Sequence, residues 1–147
     1  MAAPPAGETP RRYWLVKTEP ETYGWAQQVA AGTEPWSGVR NHMARNNLGA
    51  MRVGDLAFFY HSGAERRIVG VVEVARAAYP DPTAEAGDWL AVDMRTVGAL
   101  PRPVTLGAMR ADPALQGLAL LRNSRLSVVE VSAAHWAHIC RQGGWRG

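Results

Sequence analysis

The sequence predicts one α+β domain in which a strongly curved sheet is flanked by helices, and three observations support this reading. At 147 residues the chain has the length of a single hydrophobic core. Its hydrophobic share of 47% and charged share of 20% are those of a globular protein, which excludes a disordered chain or a fibrous repeat. The order of segments is a strand, two helices, a run of strands, a short helical piece, a strand and a final helix. That order lacks the βαβ alternation of a parallel sheet.

Residues 1–12 carry three prolines and no apolar core, so they are expected to form a flexible tail and not a leader. The folded domain is expected over 13–142, with a short tail at 143–147. Tyr13 to Thr18 is an aromatic and branched run that reads as a strand, stopped by Glu19-Pro20. A helix is expected over Gly24 to Ala31, with Trp25, Val29 and Ala30 on its apolar face and Gly32 as its stop. Gly32 to Arg40 has the composition of a loop. Asn41 to Met51 reads as a second helix, amphipathic through Met43, Leu48 and Met51.

Gly54-Asp55 turns the chain into a strand over Leu56 to His61, and Ser62 to Arg66 reads as a hairpin loop. Ile68 to Ala78 is a long strand ended by Pro80-Asp81-Pro82, and Trp89 to Val97 is another. Val104 to Arg110 is a short helix or the start of a strand, and Leu126 to Val131 is a last strand. Ser132 then caps a closing helix with Trp136, Ile139 and Cys140 on one face.

A lone cysteine, Cys140, excludes an internal disulfide and suits a reducing compartment. No apolar run reaches the roughly 18 residues of a membrane helix. The chain is therefore expected to be a cytoplasmic protein, monomeric, without cofactor, metal or membrane partner. Of its 16 basic residues 15 are arginine, and Lys17 is the single lysine. Arg40, Arg45 and Arg52 fall in an acid-free stretch, as do Arg95, Arg102 and Arg110, whereas Asp81, Glu85, Asp88 and Asp93 form an acidic one. Such segregation permits one positive face suited to a polyanion.

Enzymatic signatures are missing from the sequence: no Gly-x-Ser-x-Gly, Walker loop, His-Glu-x-x-His or dinucleotide fingerprint occurs. His135 and His138 share a helix but have no third ligand nearby, and Cys140 sits at core spacing. What stands out is polar residues beside aromatics at strand ends and loops: Trp14 with Lys17-Thr18-Glu19, Trp36-Ser37-Gly38-Val39-Arg40-Asn41, and Tyr60-His61-Ser62. Aromatic rings stack on the face of a base while amides, hydroxyls and charges read its edge. Each also has a structural reading, with Trp36 as a core anchor, Asn41 as a helix cap, and Thr18 or Ser62 as turn residues.

The strings Tyr-Trp-Leu-Val-Lys-Thr-Glu-Pro at 13–20, Trp-Ser-Gly-Val-Arg-Asn at 36–41, Ala-Arg-Asn-Asn-Leu at 44–48, Gly-Asp-Leu-Ala-Phe-Phe-Tyr-His-Ser at 54–62, Val-Gly-Val-Val-Glu-Val at 69–74, Ala-Tyr-Pro-Asp-Pro-Thr at 78–83 and Arg-Leu-Ser-Val at 125–128 resemble the EVE domain family. The resemblance implies a PUA-like fold, related to the ASCH and YTH domains, and a non-enzymatic reader that flips a modified base of DNA or RNA, notably a 5-modified cytosine such as 5-methylcytosine, into a pocket. It places Lys17, Thr18, Glu19, Trp36, Val39, Arg40, Asn41, Tyr60, His61 and Ser62 at that pocket. Glu19 would accept from cytosine N4 and Trp36 would stack. Arg122 and Arg125 would contact phosphates. Two other readings stay open: a general RNA-binding module without selectivity for modification, and a small nucleic-acid-processing enzyme using His61 or His42 with Glu19.

Overall fold

The structure, a computed structural model, describes residues 10–146. Most of the expected flexible tail, residues 1–9, lies outside the described residues, as does Gly147. Six strands form one mixed sheet: β1 (Tyr13–Thr18), β2 (Thr33–Trp36), β3 (Leu56–His61), β4 (Arg67–Pro80), β5 (Leu90–Thr105) and β6 (Val128–Val131). Five helices accompany it: α1 (Trp25–Ala31), α2 (His42–Ala50), α3 (Leu106–Ala111), α4 (Ala119–Arg122) and α5 (Ala133–Gly143), with a single 3-10 turn at Pro113–Leu115.

The strand order is β2-β5-β4-β3-β1-β6. β1 runs parallel to β3, from Tyr13 opposite Leu56 to Thr18 opposite His61, and every other pairing is antiparallel. The long β4–β5 ribbon changes register four times, between Ile68 and Gly70, Val71 and Val72, Val74 and Arg76, and Arg76 and Tyr79. Each irregularity adds local twist and bend. Together they produce the strongly curved sheet that the element order implied.

All six residues of β3 are buried, and Trp14, Leu15 and Val16 of β1 lie beside them. α5 closes this face as expected: Ser132 caps it, and Trp136, Ile139 and Cys140 are buried. The Trp136 ring stacks on Phe58 at 3.8 Å and on Tyr13 at 4.7 Å. Burial also pushes the Cys140 thiol up to about 11, as befits a packing residue.

On the opposite side Trp25 of α1 lies over Gly70, where a Cβ would fall inside the indole ring. That close approach fixes the start of α1 against the sheet. The helix buries Gln28 and not the expected apolar face: Val29 is 51% exposed, because Gln28 reaches inward to the Met94 carbonyl at 3.0 Å and accepts from the Tyr23 hydroxyl at 2.8 Å. A fully hydrogen-bonded amide here outcompetes the hydrophobic reading of the helix. In α2 the buried residues are Ala44 and Leu48, whereas Met43 is 56% exposed.

Two strands depart from expectation. The segment read as a loop contains β2, which tolerates Pro35 because it is an edge strand paired only with β5. β5 extends through Pro101 and Pro103 to Thr105, well past β2, so those prolines face no second partner strand. The expected terminal tail is also docked in part: Trp145 packs on the core and covers Gly98. No helix among the described residues is long and apolar enough to cross a membrane.

Candidate functional site

The end of β1 supplies Lys17 and Thr18, the following turn supplies Thr22 and Tyr23, and β2 with its succeeding loop supplies residues 34–40. With Ser127 these enclose a cleft of about 420 Å³. Trp36 forms its aromatic wall, edge-on to Phe59 at 5.5 Å and to Tyr23 at 6.2 Å. At 7% exposure Trp36 belongs to the core as well as the wall. The core-anchor reading of this residue therefore holds, and Trp36→Ala is a folding mutation costing about 3–5 kcal/mol.

The cleft loop is organised by Asp81, whose side chain is 0% exposed. Its Oδ2 accepts from Gly38 N at 2.8 Å and Arg40 Nη1 at 3.0 Å, and its Oδ1 accepts from the Thr83 amide and hydroxyl, each at 2.7 Å. Burial pushes this carboxyl up, but the bonds from Thr83, Gly38 and Arg40 outweigh burial and hold it below the usual carboxylate range. Gly38 adopts φ of 79°, a left-handed conformation for which glycine is suited, and so lets the loop turn its amide onto Asp81. Arg40 also donates to Thr83 Oγ1 at 3.2 Å and lies over the Trp89 ring.

The expected site residues divide into three groups. Lys17, Thr18, Trp36, Val39 and Arg40 line the cleft. Thr18 does so while its hydroxyl donates to the Tyr23 carbonyl at 2.9 Å, fastening the turn. Tyr60 and Ser62 line a second, smaller cavity of about 230 Å³, which Lys17 shares. Burial lowers the Lys17 ammonium from its ordinary value; it donates to the Ser124 carbonyl at 2.9 Å and sits 6.0 Å from the Tyr60 ring.

Glu19, Asn41, His61, Arg122 and Arg125 line neither cavity. Glu19 is exposed, and its carbonyl accepts from the Thr22 and Tyr23 amides. Asn41 caps α2 by accepting from Ala44 N at 3.0 Å. His61 is buried beneath the site: its Nε2 accepts the Trp25 N–H at 3.0 Å, and Nδ1 is 3.0 Å from Glu65 Oε1. Arg122 and Arg125 are exposed on α4 and the loop after it. His42 stacks on Trp89, and His138 binds Asp112 Oδ2 at 2.6 Å.

Sequence reasoning missed Glu34, the acid that does line the cleft, along with Thr22, Tyr23 and Ser127, and it noted Ser37 in the 36–41 string without assigning it to the pocket. Tyr23 is pushed up to about 12, first by burial and then by the neighbouring Glu34 charge. In the sequence Asp81 stands out as a strand stop, in an acidic stretch and in the 78–83 string, but not as a site residue, although Pro-Asp-Pro-Thr is a turn signature with a side-chain acceptor. The charge segregation also reads differently in three dimensions. Arg40 pairs with Asp81 at 3.0 Å and Arg45 with Asp88 at 3.8 Å, so the acidic stretch lies against the first arginine stretch and partly neutralises it.

A curved mixed sheet with flanking helices and a cleft at one end of its central parallel pair defines a PUA-like α+β domain. The family model described as the EVE domain matches residues 12–142, and the chain belongs to the EVE domain family. It is similar to a Rhodopseudomonas palustris protein solved by NMR, at 48% identity and a TM-score of 0.87, covering 92% of this chain and 95% of that one. It is similar to human THYN1 crystallised in complex with 5-methylcytosine-containing DNA, at 27% identity and a TM-score of 0.82, covering 92% and 99%. A YTH domain from Zygosaccharomyces rouxii, solved with N6-methyladenosine RNA, shares the fold at a TM-score of 0.56 and 21% identity, covering 97% and 94%.

Proposed function

We propose that this protein is a non-enzymatic nucleic-acid reader that takes a modified base, a 5-modified cytosine, into the large cleft. The observation that carries the reading is the cleft's lining: an aromatic wall of Trp36 and Tyr23 beside the polar edge of Glu34, Ser37, Thr22 and Lys17. The 5-methylcytosine DNA complex of human THYN1, a relative of the same fold, supports it. Its volume of about 420 Å³ falls within the roughly 300–1,000 Å³ of sites that bury a small molecule.

A base leaving a duplex loses a few kcal/mol of stacking and pairing, which a stacking wall and edge hydrogen bonds offset. Glu34 takes the role expected of Glu19. No hydrogen bond occupies its carboxylate among the described residues, and a carboxylate accepts from cytosine N4. The modification itself adds little by apolar contact, since about 0.8 kcal/mol per buried CH₂ corresponds to roughly fourfold. Larger selectivity for a hydroxymethyl group would come from Ser37 or Thr22. Phosphate contacts supply most of the affinity and make it salt-dependent.

Binding is followed through the six tryptophans, using matched strands with cytosine, 5-methylcytosine, 5-hydroxymethylcytosine or N6-methyladenine at two salt concentrations. The expected result is a preference for a 5-modified cytosine that persists as salt weakens every strand. Equal binding to all strands would replace the reading with a general RNA-binding module without modification selectivity.

A further inference from the structure

We infer that the small cavity beside the cleft is a phosphodiester subsite, in which Lys17, Arg66 and Arg110 hold the backbone phosphate adjoining the base in the large cleft. The inference rests on the nucleic-acid reading above and deepens it. Three cations line this cavity with the hydroxyls of Tyr60, Ser62 and Ser124, and no Asp or Glu lines it. The large cleft differs: there Glu34 is present, and Arg40 is already committed to Asp81. Lys17 lines both spaces, so a ligand crossing from one to the other passes its ammonium.

Among the described residues none of the three cations pairs with an acid, and Lys17 donates only to the Ser124 carbonyl. Arg110 makes no hydrogen bond or ion pair among the described residues. Arg66 uses only Nε, which donates to the Gly63 carbonyl at 3.0 Å, leaving both Nη groups without a partner there. Both guanidiniums lie close enough to Tyr60 to favour its ionised form, although burial, the larger effect, pushes that hydroxyl upward. A guanidinium offers planar paired donors to phosphate oxygens, and hydroxyls complete such a cradle.

An independent observation comes from the backbone. Arg66 is the one non-glycine residue with positive φ among the described residues, at 48°. A hairpin turn is satisfied there by glycine or asparagine with less strain, and strained non-glycine positions cluster where a side chain serves a ligand. The Arg66 carbonyl accepts from Leu106 N at 2.8 Å, which joins the turn to the start of α3, the short helix whose last turn carries Arg110.

Two measurements test the subsite separately from the base reading. The ¹⁵N-labelled full chain is titrated with cytidine and then with cytidine 5′-monophosphate. Phosphate-dependent shifts of the amides at 60–66 and 106–110 are expected, and their absence overturns the subsite whatever the base preference. Affinity for a short single strand carrying 5-methylcytosine is then measured against salt for Arg66→Gly and Arg110→Gln. Each variant is expected to bind about tenfold more weakly and to reduce the salt slope by about 1, while keeping its ratio of modified to plain affinity. Arg66→Gly relieves the backbone and should melt no lower than the parent, so its loss of affinity cannot be ascribed to unfolding. Unchanged affinity and slope in both variants would overturn the proposal. Strands that bind equally, with slopes still reduced, would remove the modified-base reading and leave the phosphate subsite standing.

Discussion

Two buried carboxylates, Asp55 and Asp81, serve different parts of the molecule. Asp55, at the start of the strand pair, accepts from Arg12 N at 3.1 Å, Trp14 Nε1 at 3.1 Å and Arg52 N at 3.0 Å. Its side-chain donor, the Trp14 indole, is fully buried, and the result is a closed staple. Asp81, at the cleft end, accepts from an amide of a glycine-bearing loop, a guanidinium and a threonine. Its partners Gly38 and Arg40 line the cleft. The same chemical group thus staples the start of β1 to the turn before β3 in one place and shapes a cleft loop in the other, and the difference lies in whether its partners line an opening.

That contrast can be broken by substitution. Asp55→Ala strands a buried indole N–H and two amides, and we expect a loss of about 3 kcal/mol with nucleic-acid affinity unchanged at a temperature where the variant is folded. Chemical denaturation with a binding titration in the same buffer checks it. Asp81→Ala should cost somewhat less, about 2 kcal/mol, because its donors lie nearer to water. In exchange it should release the 37–40 loop and weaken binding at least tenfold. Equal binding losses in the two variants would erase the distinction between staple and cleft wall.

Acid sharpens the same comparison. Because the folded Asp81 carboxyl is held below its ordinary range, its contribution is present at neutral pH and is lost as the pH falls from about 5 toward the lowered folded value. Melting temperature should therefore decline more steeply with acid in the parent than in Asp81→Asn, which has no proton to bind there. Parallel acid limbs would remove Asp81 as a source of the slope. The smallest effect is expected for Thr83→Val, about 1 kcal/mol, which deletes the hydroxyl bond to Asp81 and the acceptor for Arg40 while keeping the side chain's shape.

Local signals were readable in the sequence where the chain's own neighbours decide the outcome. β1 and β3 fall on the ranges that their apolar runs indicated, and Ser132 and Asn41 cap the helices that follow them. The face of α1 was not readable, because Gln28 is buried only by virtue of Met94 and Thr96 of β5, some 66 and 68 residues away. β2 and the far half of β5 carry prolines that only an edge position excuses, and edges are a property of the assembled sheet. The candidate site follows the same rule. Its motif residues Lys17, Thr18, Trp36, Val39 and Arg40 converge on one cleft, whereas the Arg40–Asp81 pair, the entry of Glu34 and the burial of His61 under α1 are long-range facts.

The placement of β1 between β3 and β6 has a consequence for biosynthesis. β1 is paired on one side with residues 56–61 and on the other with residues 128–131, so its second edge stays open until residues 128–131 have been synthesised. The same closing stretch brings Ser124, which receives the Lys17 ammonium, and Ser127, which completes the cleft. A chain lacking that stretch therefore has β1 but an unfinished cleft. A chain truncated before residues 124–131 leaves one edge of β1 unpaired, an exposed strand that chaperones and proteases can capture.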